Sequence, residues 1–295
     1  MKHTIIYLTI MTLCVLLSGC AKKSDYIFHR GSDMAEFRCE APFQGLTIPV
    51  YYHIPMDGNV SEMPVQFVMH GVGRNADDYR DAWVEKADQY GFIVITPKFS
   101  KSDFPESDYQ QGRIIDKDGF FSDKDSLTYV LIDQIFNYFV ENSDSKARKY
   151  NIYGHSAGAQ FVHRYMMYND THLVEKAISA NAGWYTMPTD TIDFPYGLGA
   201  SLEQLKLDKK AYYAKNMTIL LGDADTVRTS DLRVTPEADM QGLNRLARGR
   251  NFFDYCRTDA QKMGVPFNWS LQYVSGSNHS NKKMAPAAAD ILYGR

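Results

Sequence analysis

The sequence predicts an α/β domain: a mostly parallel central sheet with helices on both faces. Short apolar runs of strand length alternate with stretches of helical spacing between Leu46 and Val274, the pattern of a parallel sheet buried under two helical layers. No Pro/Gly-rich linker, internal repeat or low-complexity tract divides the chain, so one domain is the economical reading. One apolar run also leads straight into Gly154-His155-Ser156-Ala157-Gly158 and then a helical stretch, which calls for a sharp strand-to-helix turn.

In chain order, Leu46 to Ile54 reads as an early strand and Val65 to Met69 as a short buried one. Ala76 to Tyr90 has helical spacing, with Asn75 as its expected cap and Asp77 and Asp78 in its positive first turn. Phe92 to Thr96 is a strand stopped by Pro97, and Leu127 to Val140 is helical. Tyr150 to Tyr153 is a strand and Ala157 to Tyr168 a helix. Ala177 to Ala180, Thr218 to Leu221 and Leu271 to Val274 complete the strands. Two long segments interrupt the alternation, at about 98–125 and 184–216. Connections of this length in a compact domain tend to carry function.

The composition is that of an ordinary globular protein: 44% hydrophobic, 23% charged, net charge −3 over 295 residues. Such a balance offers no basic field for nucleic acid. The 20 Tyr, 16 Phe and 3 Trp supply core and are compatible with a groove for sugars or aryl groups. No P-loop, dinucleotide fingerprint or Cys–His zinc spacing is present, so neither a metal nor a cofactor is expected. Asp223 and Asp225 do not begin a calcium loop, because later ligand positions hold Val227 and Arg228.

The N-terminal stretch stands apart. Met1-Lys2 is followed by a mostly apolar run from Ile5 to Leu17, too short to span a membrane comfortably. It ends in Leu17-Ser18-Gly19-Cys20, which resembles the lipobox of bacterial lipoproteins. That resemblance implies a signal peptide over 1–19, acylation of Cys20 and a membrane anchor in the cell envelope, with the leaflet left open. An ordinary cleaved signal peptide is the alternative. Polar residues 20–34 read as a tether, and residues 35–295 as the folded domain. Cys39 and Cys256 remain in the domain. A disulfide between them and two buried free thiols are both open.

The chemistry centres on Ser156. A G-x-S-x-G pentapeptide is weak alone, but here a strand precedes it and a helix follows. The turn is crowded, so glycines flank the serine, and its hydroxyl is raised above the sheet. A serine nucleophile needs a base. Three histidines follow it. His163 lies seven residues along the helix, pointing away from the turn. His172 sits in a polar turn. His279, after the last strand in Gly276-Ser277-Asn278-His279-Ser280, can reach back. The acid belongs on the loop after the next-to-last strand, where Gly222-Asp223-Ala224-Asp225 offers two aspartates. Asp225 is preferred by its G-x-x-D spacing, leaving Asp223 to orient the loop through backbone hydrogen bonds. His70-Gly71-Val72-Gly73 follows a buried strand. There the backbone N–H groups of Val72 and Ala157 are the expected oxyanion donors, and His70 itself is a structural residue.

Taken together, His70 to Tyr79, Gly154 to Gly158 and Ala182-Gly183-Trp184-Tyr185 resemble the α/β-hydrolases related to polyhydroxybutyrate depolymerases and feruloyl or acetylxylan esterases. The loop reads His-Gly-Val where many depolymerase-like members have His-Gly-Cys, a change that keeps the backbone donor. The resemblance implies a serine hydrolase acting on carboxylic esters, with Trp184 and Tyr185 near substrate. Small-molecule or polysaccharide-linked esters are the expected partners, and the oligomeric state is open. A serine peptidase on the same fold and an inactive binding lipoprotein are the competing readings.

Overall fold

The computed structural model describes residues 26–294; the signal-peptide and Cys20 readings, and most of the tether, lie outside them. Eight strands form one sheet: β1 (Gly31–Arg38), β2 (Thr47–Ile54), β3 (Val65–Met69), β4 (Ile93–Pro97), β5 (Tyr150–His155), β6 (Val174–Ala180), β7 (Met217–Gly222) and β8 (Trp269–Val274). Their order is β1-β2-β4-β3-β5-β6-β7-β8. The first two pairings, β1 with β2 and β2 with β4, are antiparallel and the rest are parallel. Every residue of β3, β4 and β5 is buried, which is why these strands read as continuous apolar runs rather than alternating ones.

The helices are α1 (Ala76–Tyr90), α2 (Glu106–Tyr109), α3 (Val130–Glu141), α4 (Ala157–Tyr168), α5 (Ser201–Gln204), α6 (Lys209–Ala214), α7 (Pro236–Met240), α8 (Arg245–Met263) and α9 (Asn281–Tyr293). Strand residues alternate between two cores. Phe67, Ile152, Ala177 and Ile219 face the one that contains α3, α4 and α8. Val68, Tyr153, Ile178 and Leu220 face the one closed by α1 and α9, as the period of two requires. α1 ends at Gly91, whose φ of 70° terminates the helix in the left-handed conformation. Asn75 does precede it, but its side chain donates to the Asp78 carboxylate at 2.7 Å instead of capping a backbone N–H.

The structure corrects the sequence reading at three places. Residues 26–34 are not tether. Ile27 and Phe28 donate backbone hydrogen bonds to the Asn142 carbonyl, the Phe28 ring packs edge-on against Tyr52, Tyr138 and Phe139, and β1 begins at Gly31. Neither α8 nor α9 is marked by a clear apolar periodicity in the sequence. α8 is rich in charge and carries Gly249, where a Cβ would lie 2.4 Å from Leu221 Cδ2, so the glycine permits close packing on β7. α9 contains Pro286, ordinarily a helix breaker. Cys39 and Cys256 are both buried free thiols. Burial pushes the Cys39 thiol up to about 11, so neither is poised for thiolate chemistry. No described helix is long and apolar enough to cross a membrane.

If Phe28 belongs to the core, Phe28→Ala should lower the unfolding free energy by ~3–5 kcal/mol. Urea denaturation measures this, and an unchanged midpoint would return residues 26–34 to the tether.

Candidate active site

The strand order places β3 between β4 and β5, with Met69 opposite Gly154. The loops leaving β3 and β5 therefore emerge side by side at the carboxyl ends of the parallel strands, where open α/β sheets bind ligands. Ser156 sits at the turn between β5 and α4 with φ 58° and ψ −115°, a conformation that costs a non-glycine residue ~1–3 kcal/mol. Packing holds it there. A Cβ on Gly154 would lie 2.1 Å from the Gly158 carbonyl oxygen, and one on Gly158 would lie 2.1 Å from that of Met69. Ser156 N–H is anchored on the Ala180 carbonyl at 3.0 Å.

The loops after β7 and β8 bring in two more residues. His279 Nδ1 lies 2.8 Å from Asp225 Oδ2, and His279 Nε2 lies 2.9 Å from Ser156 Oγ. A carboxylate only accepts, so Nδ1 carries the proton and Nε2 accepts from the serine hydroxyl. Asp223 does different work: its Oδ1 accepts from Gly276 N–H at 2.7 Å, tying the acid loop to the histidine loop. Asn181, after β6, joins the same knot. Its Oδ1 accepts from Gly222 N–H at 2.8 Å and its Nδ2 donates to the Asn278 carbonyl at 3.4 Å.

Val72 and Ala157 line the same cleft as Ser156. Ala157 is the first residue of α4, so its N–H has no acceptor within the helix. The Val72 loop is braced from behind. His70 Nε2 accepts from Phe99 N–H at 3.0 Å and its Nδ1 donates to the Gly71 carbonyl at 3.1 Å. Tyr109 Oη donates to the His70 carbonyl at 2.7 Å. Desolvation pulls His70 down to about 3, so it stays neutral and structural.

His155, the residue before Ser156, is also buried. Its ring lies 4.6 Å from that of His279, and its Nδ1 is 3.0 Å from Tyr79 Oη. Burial first, and the charges of His279 and Arg245 after it, hold it well below the usual histidine range. It therefore presents a neutral surface to His279. His163 is buried within the core, its Nδ1 on the Ala159 carbonyl and its Nε2 accepting from Thr186 N–H. His172 is exposed. Neither approaches Ser156.

The cleft at Ser156 encloses about 250 Å³. Trp184 lines it, with the guanidinium groups of Arg164 and Arg233 over its ring at 4.1 and 4.7 Å. Tyr185 does not: its ring stacks on Phe252 at 4.3 Å and its backbone is clasped by the Gln241 carboxamide. Apart from Trp184, segment 184–216 contributes nothing to this cleft. The opposite wall comes from Ser230 to Arg233 and from Arg245, and segment 98–125 adds Glu106 and Gln110. Arg245, buried beside the acid, has Nη1 3.7 Å from Asp225 Oδ1. Arg245, Asn181 and Gln160 carry no sequence signal, because each depends on a tertiary neighbour. No cluster of metal-ligating side chains occurs among the described residues.

A second Ser–His–Asp arrangement shows what this geometry lacks elsewhere. Ser32 Oγ lies 2.8 Å from His53 Nδ1, and His53 Nε2 lies 2.9 Å from Asp88 Oδ1. Ser32 sits within an exposed strand, without a positive-φ turn or a helix start behind it. The three residues staple β1, β2 and α1 together.

Sheet order, strand-to-helix turn and loop-borne residues define an α/β-hydrolase, and the chain belongs to that family. Among solved structures it is similar to poly(aspartic acid) hydrolase-1 from Sphingomonas sp. KT-1, with 39% identity, TM-score 0.84, and 90% of this chain and 100% of that one covered. It is also similar to a poly(3-hydroxybutyrate) depolymerase from Bordetella parapertussis, at 32% identity and TM-score 0.84 over 90% and 91% of the two chains. An S-formylglutathione hydrolase from Staphylococcus aureus shares the fold alone, at 15% identity and TM-score 0.55 over 90% and 98%. No protein-family model and no curated protein matches the chain. These relatives make the protein a hydrolase.

The two aspartates separate orientation of the imidazole from orientation of the loop. Asp225→Asn should lower kcat about 10³–10⁴-fold by disturbing the His279 tautomer, and Asp223→Asn should cost no more than about tenfold through one weakened loop contact. Steady-state kinetics on both variants compares them; the reverse ranking would transfer the acid role to Asp223.

Proposed function

We propose that the protein is a serine hydrolase cleaving carboxylic esters through an acyl-Ser156 intermediate. The observation that carries this reading is the continuous line Asp225–His279–Ser156, at 2.8 and 2.9 Å, ending at a strained turn that opens on the cleft. In the first half-reaction Ser156 Oγ attacks the carbonyl carbon and its proton passes to His279 Nε2. The N–H groups of Val72 and Ala157 receive the developing oxyanion; one such donor is typically worth ~3 kcal/mol. Asp225 stabilises the imidazolium. The C–O bond to the alcohol then breaks, and Nε2 returns the proton to the leaving oxygen. Water, deprotonated by the same nitrogen, attacks the acyl carbon, and the acid leaves as Ser156 recovers its proton.

A second reading, amide cleavage at the same serine, is favoured by one observation. A 39% identical structure is a hydrolase named for poly(aspartic acid), a polymer joined by amide bonds. The 32% identical one is named for a polyester. Esters on polysaccharides remain within the proposed class.

A fluorophosphonate should label Ser156 stoichiometrically and leave Ser32 untouched, and labelling should vanish in Ser156→Ala. Mass spectrometry of the labelled peptide reads this. 4-Nitrophenyl esters should be hydrolysed and the matching 4-nitroanilides turned over far more slowly. Turnover of anilides at the ester rate would favour the amide reading, and labelling at Ser32 with none at Ser156 would remove the proposal.

We also propose that the chain is exported and acylated at Cys20, on the strength of Leu17-Ser18-Gly19-Cys20. More than one acyl chain is what stable anchoring requires. Cys20→Ala should move the protein out of the membrane fraction or block its processing. A mature N-terminus elsewhere, without acyl mass, would count against it.

A further inference from the structure

The proposed reaction leaves the acyl group undefined, and the wall of the cleft beside Ser156 bears on it. An acyl pocket for a hydrocarbon or an aryl group would be lined with apolar or aromatic surface. This one is not. Its single tryptophan, Trp184, already has two guanidinium groups over its ring, so that ring is not free to stack on a substrate. The remaining wall is largely polar, including Glu106, Gln110, Gln160, Arg233 and Arg245.

Gln160 and Arg245 are the informative members. Gln160 lies one helical turn beyond Ser156, its backbone N–H on the Ser156 carbonyl at 3.1 Å. It is only 6% exposed, and its carboxamide oxygen is enclosed without a partner among the described residues. Its nitrogen end lies toward Gly183, another residue of the cleft, where a Cβ would come within 3.0 Å of Nε2. Glycine at 183 thus leaves the donor end of this amide facing the cleft. Arg245 is 1% exposed. Its guanidinium makes two long contacts, of 3.3 Å, to Thr229 Oγ1, and its Nε has no partner. A buried polar atom left unpaired costs ~1–3 kcal/mol; Arg245 Nε is such a donor, and on Gln160 it is the Nε2 end, beside Gly183, that can donate into the cleft.

Charge narrows the ligand. Arg233 is paired with Glu106. Arg245 lies beside Asp225 at 3.7 Å and also feels Asp231. The cations of the cleft are thus balanced by carboxylates, and a second ionised group on the substrate would find no surplus positive charge. With those charges paired, Gln160 and Arg245 leave hydrogen-bond donors for an uncharged acceptor.

Building on the acyl-Ser156 reading, we infer that Gln160 and Arg245 form a polar acyl subsite that selects acyl chains bearing a neutral carbonyl oxygen over hydrocarbon chains of the same length. Gln160 Nε2 donates to that oxygen, with the Arg245 guanidinium as the second donor. Both are specificity-determining residues; neither takes part in bond making. The inference is about the acyl half only and leaves the leaving alcohol free.

Three 4-nitrophenyl esters test it: pentanoate, its isostere 4-oxopentanoate, and hydrogen adipate, each rate being divided by its own hydroxide-catalysed rate. The wild-type protein should prefer 4-oxopentanoate to pentanoate by roughly tenfold in kcat/KM, as one to two added hydrogen bonds would give. It should prefer 4-oxopentanoate to hydrogen adipate as well. Gln160→Leu, close in volume and removing no protein hydrogen bond of the side-chain oxygen, should bring the first ratio toward one. Arg245→Lys should reduce it while keeping a cation beside Asp225. Fluorophosphonate labelling of Ser156 in each variant shows that the site is still assembled. Equal turnover of pentanoate and 4-oxopentanoate by the wild type would overturn the inference while leaving the serine-hydrolase reading in place. So would an unchanged ratio in Gln160→Leu, and a preference for hydrogen adipate would overturn its neutral character. Absence of labelling and of turnover on every ester would instead remove the reading on which it rests.

Discussion

Where α4 begins, its backbone passes over the carboxyl end of β3 at a separation that only a hydrogen atom at Cα allows. A Cβ on Gly158 would meet the carbonyl oxygens of Met69 and His70 at 2.1 and 2.8 Å. This contact forces the chain to leave β5 steeply and puts Ser156 at φ 58°. It also fixes the distance between Ser156 and the His70–Gly73 loop, since both now hang from one crossing point. The His70–Gly73 loop and the serine are therefore not two features that happen to meet. They are two sides of one steric constraint, and relaxing it would move both. The ~1–3 kcal/mol held in the serine backbone is sustained by the fully buried α4 behind it.

Around that point the protein keeps three of its histidines neutral by burial. His70, His155 and His163 are all pulled down by desolvation. Each is fixed by hydrogen bonds to a backbone group or a tyrosine. His279 is only partly buried, with the Asp225 carboxylate at Nδ1 and the Ser156 hydroxyl at Nε2. Ser32, His53 and Asp88 possess comparable spacing. What sets the Ser156 line apart is its positive-φ turn, the helix start behind it and the cleft it opens on, not the hydrogen-bond chain itself.

The buried parallel strands were plain in the sequence because a strand covered on both faces must be apolar throughout; Val65 to Met69 is the clearest instance. The turn at Ser156 was legible because its glycines answer a local steric demand. β1 was not: only Ala35 and Phe37 among its residues point inward, so its other positions look like solvated chain. α8 was masked by its charges and by Gly249, whose reason is a leucine 28 residues earlier in sequence, on β7. The same limit governs the site. Asp225 and His279 could be ranked by chain order, but Arg245, Gln160 and the wall from Ser230 to Arg233 are defined by what they face. Tyr185 shows the converse error, an aromatic next to a cleft residue that belongs to the core.

One face of the sheet is closed by α1 and α9 together, the earliest long helix and the last described one. Tyr293 completes that closure, stacking on Phe92 at 4.1 Å and donating to Gln66 Oε1 at 3.0 Å. The loop bearing His279 leads directly into α9. During synthesis, therefore, an emerging chain holds Ser156 and its donor loop long before it holds the base or the helix that seals Val68, Tyr153 and Ile178 from water. Closure and competence arrive together and late. Until then the unfinished chain is an open sheet with one apolar face still exposed to water.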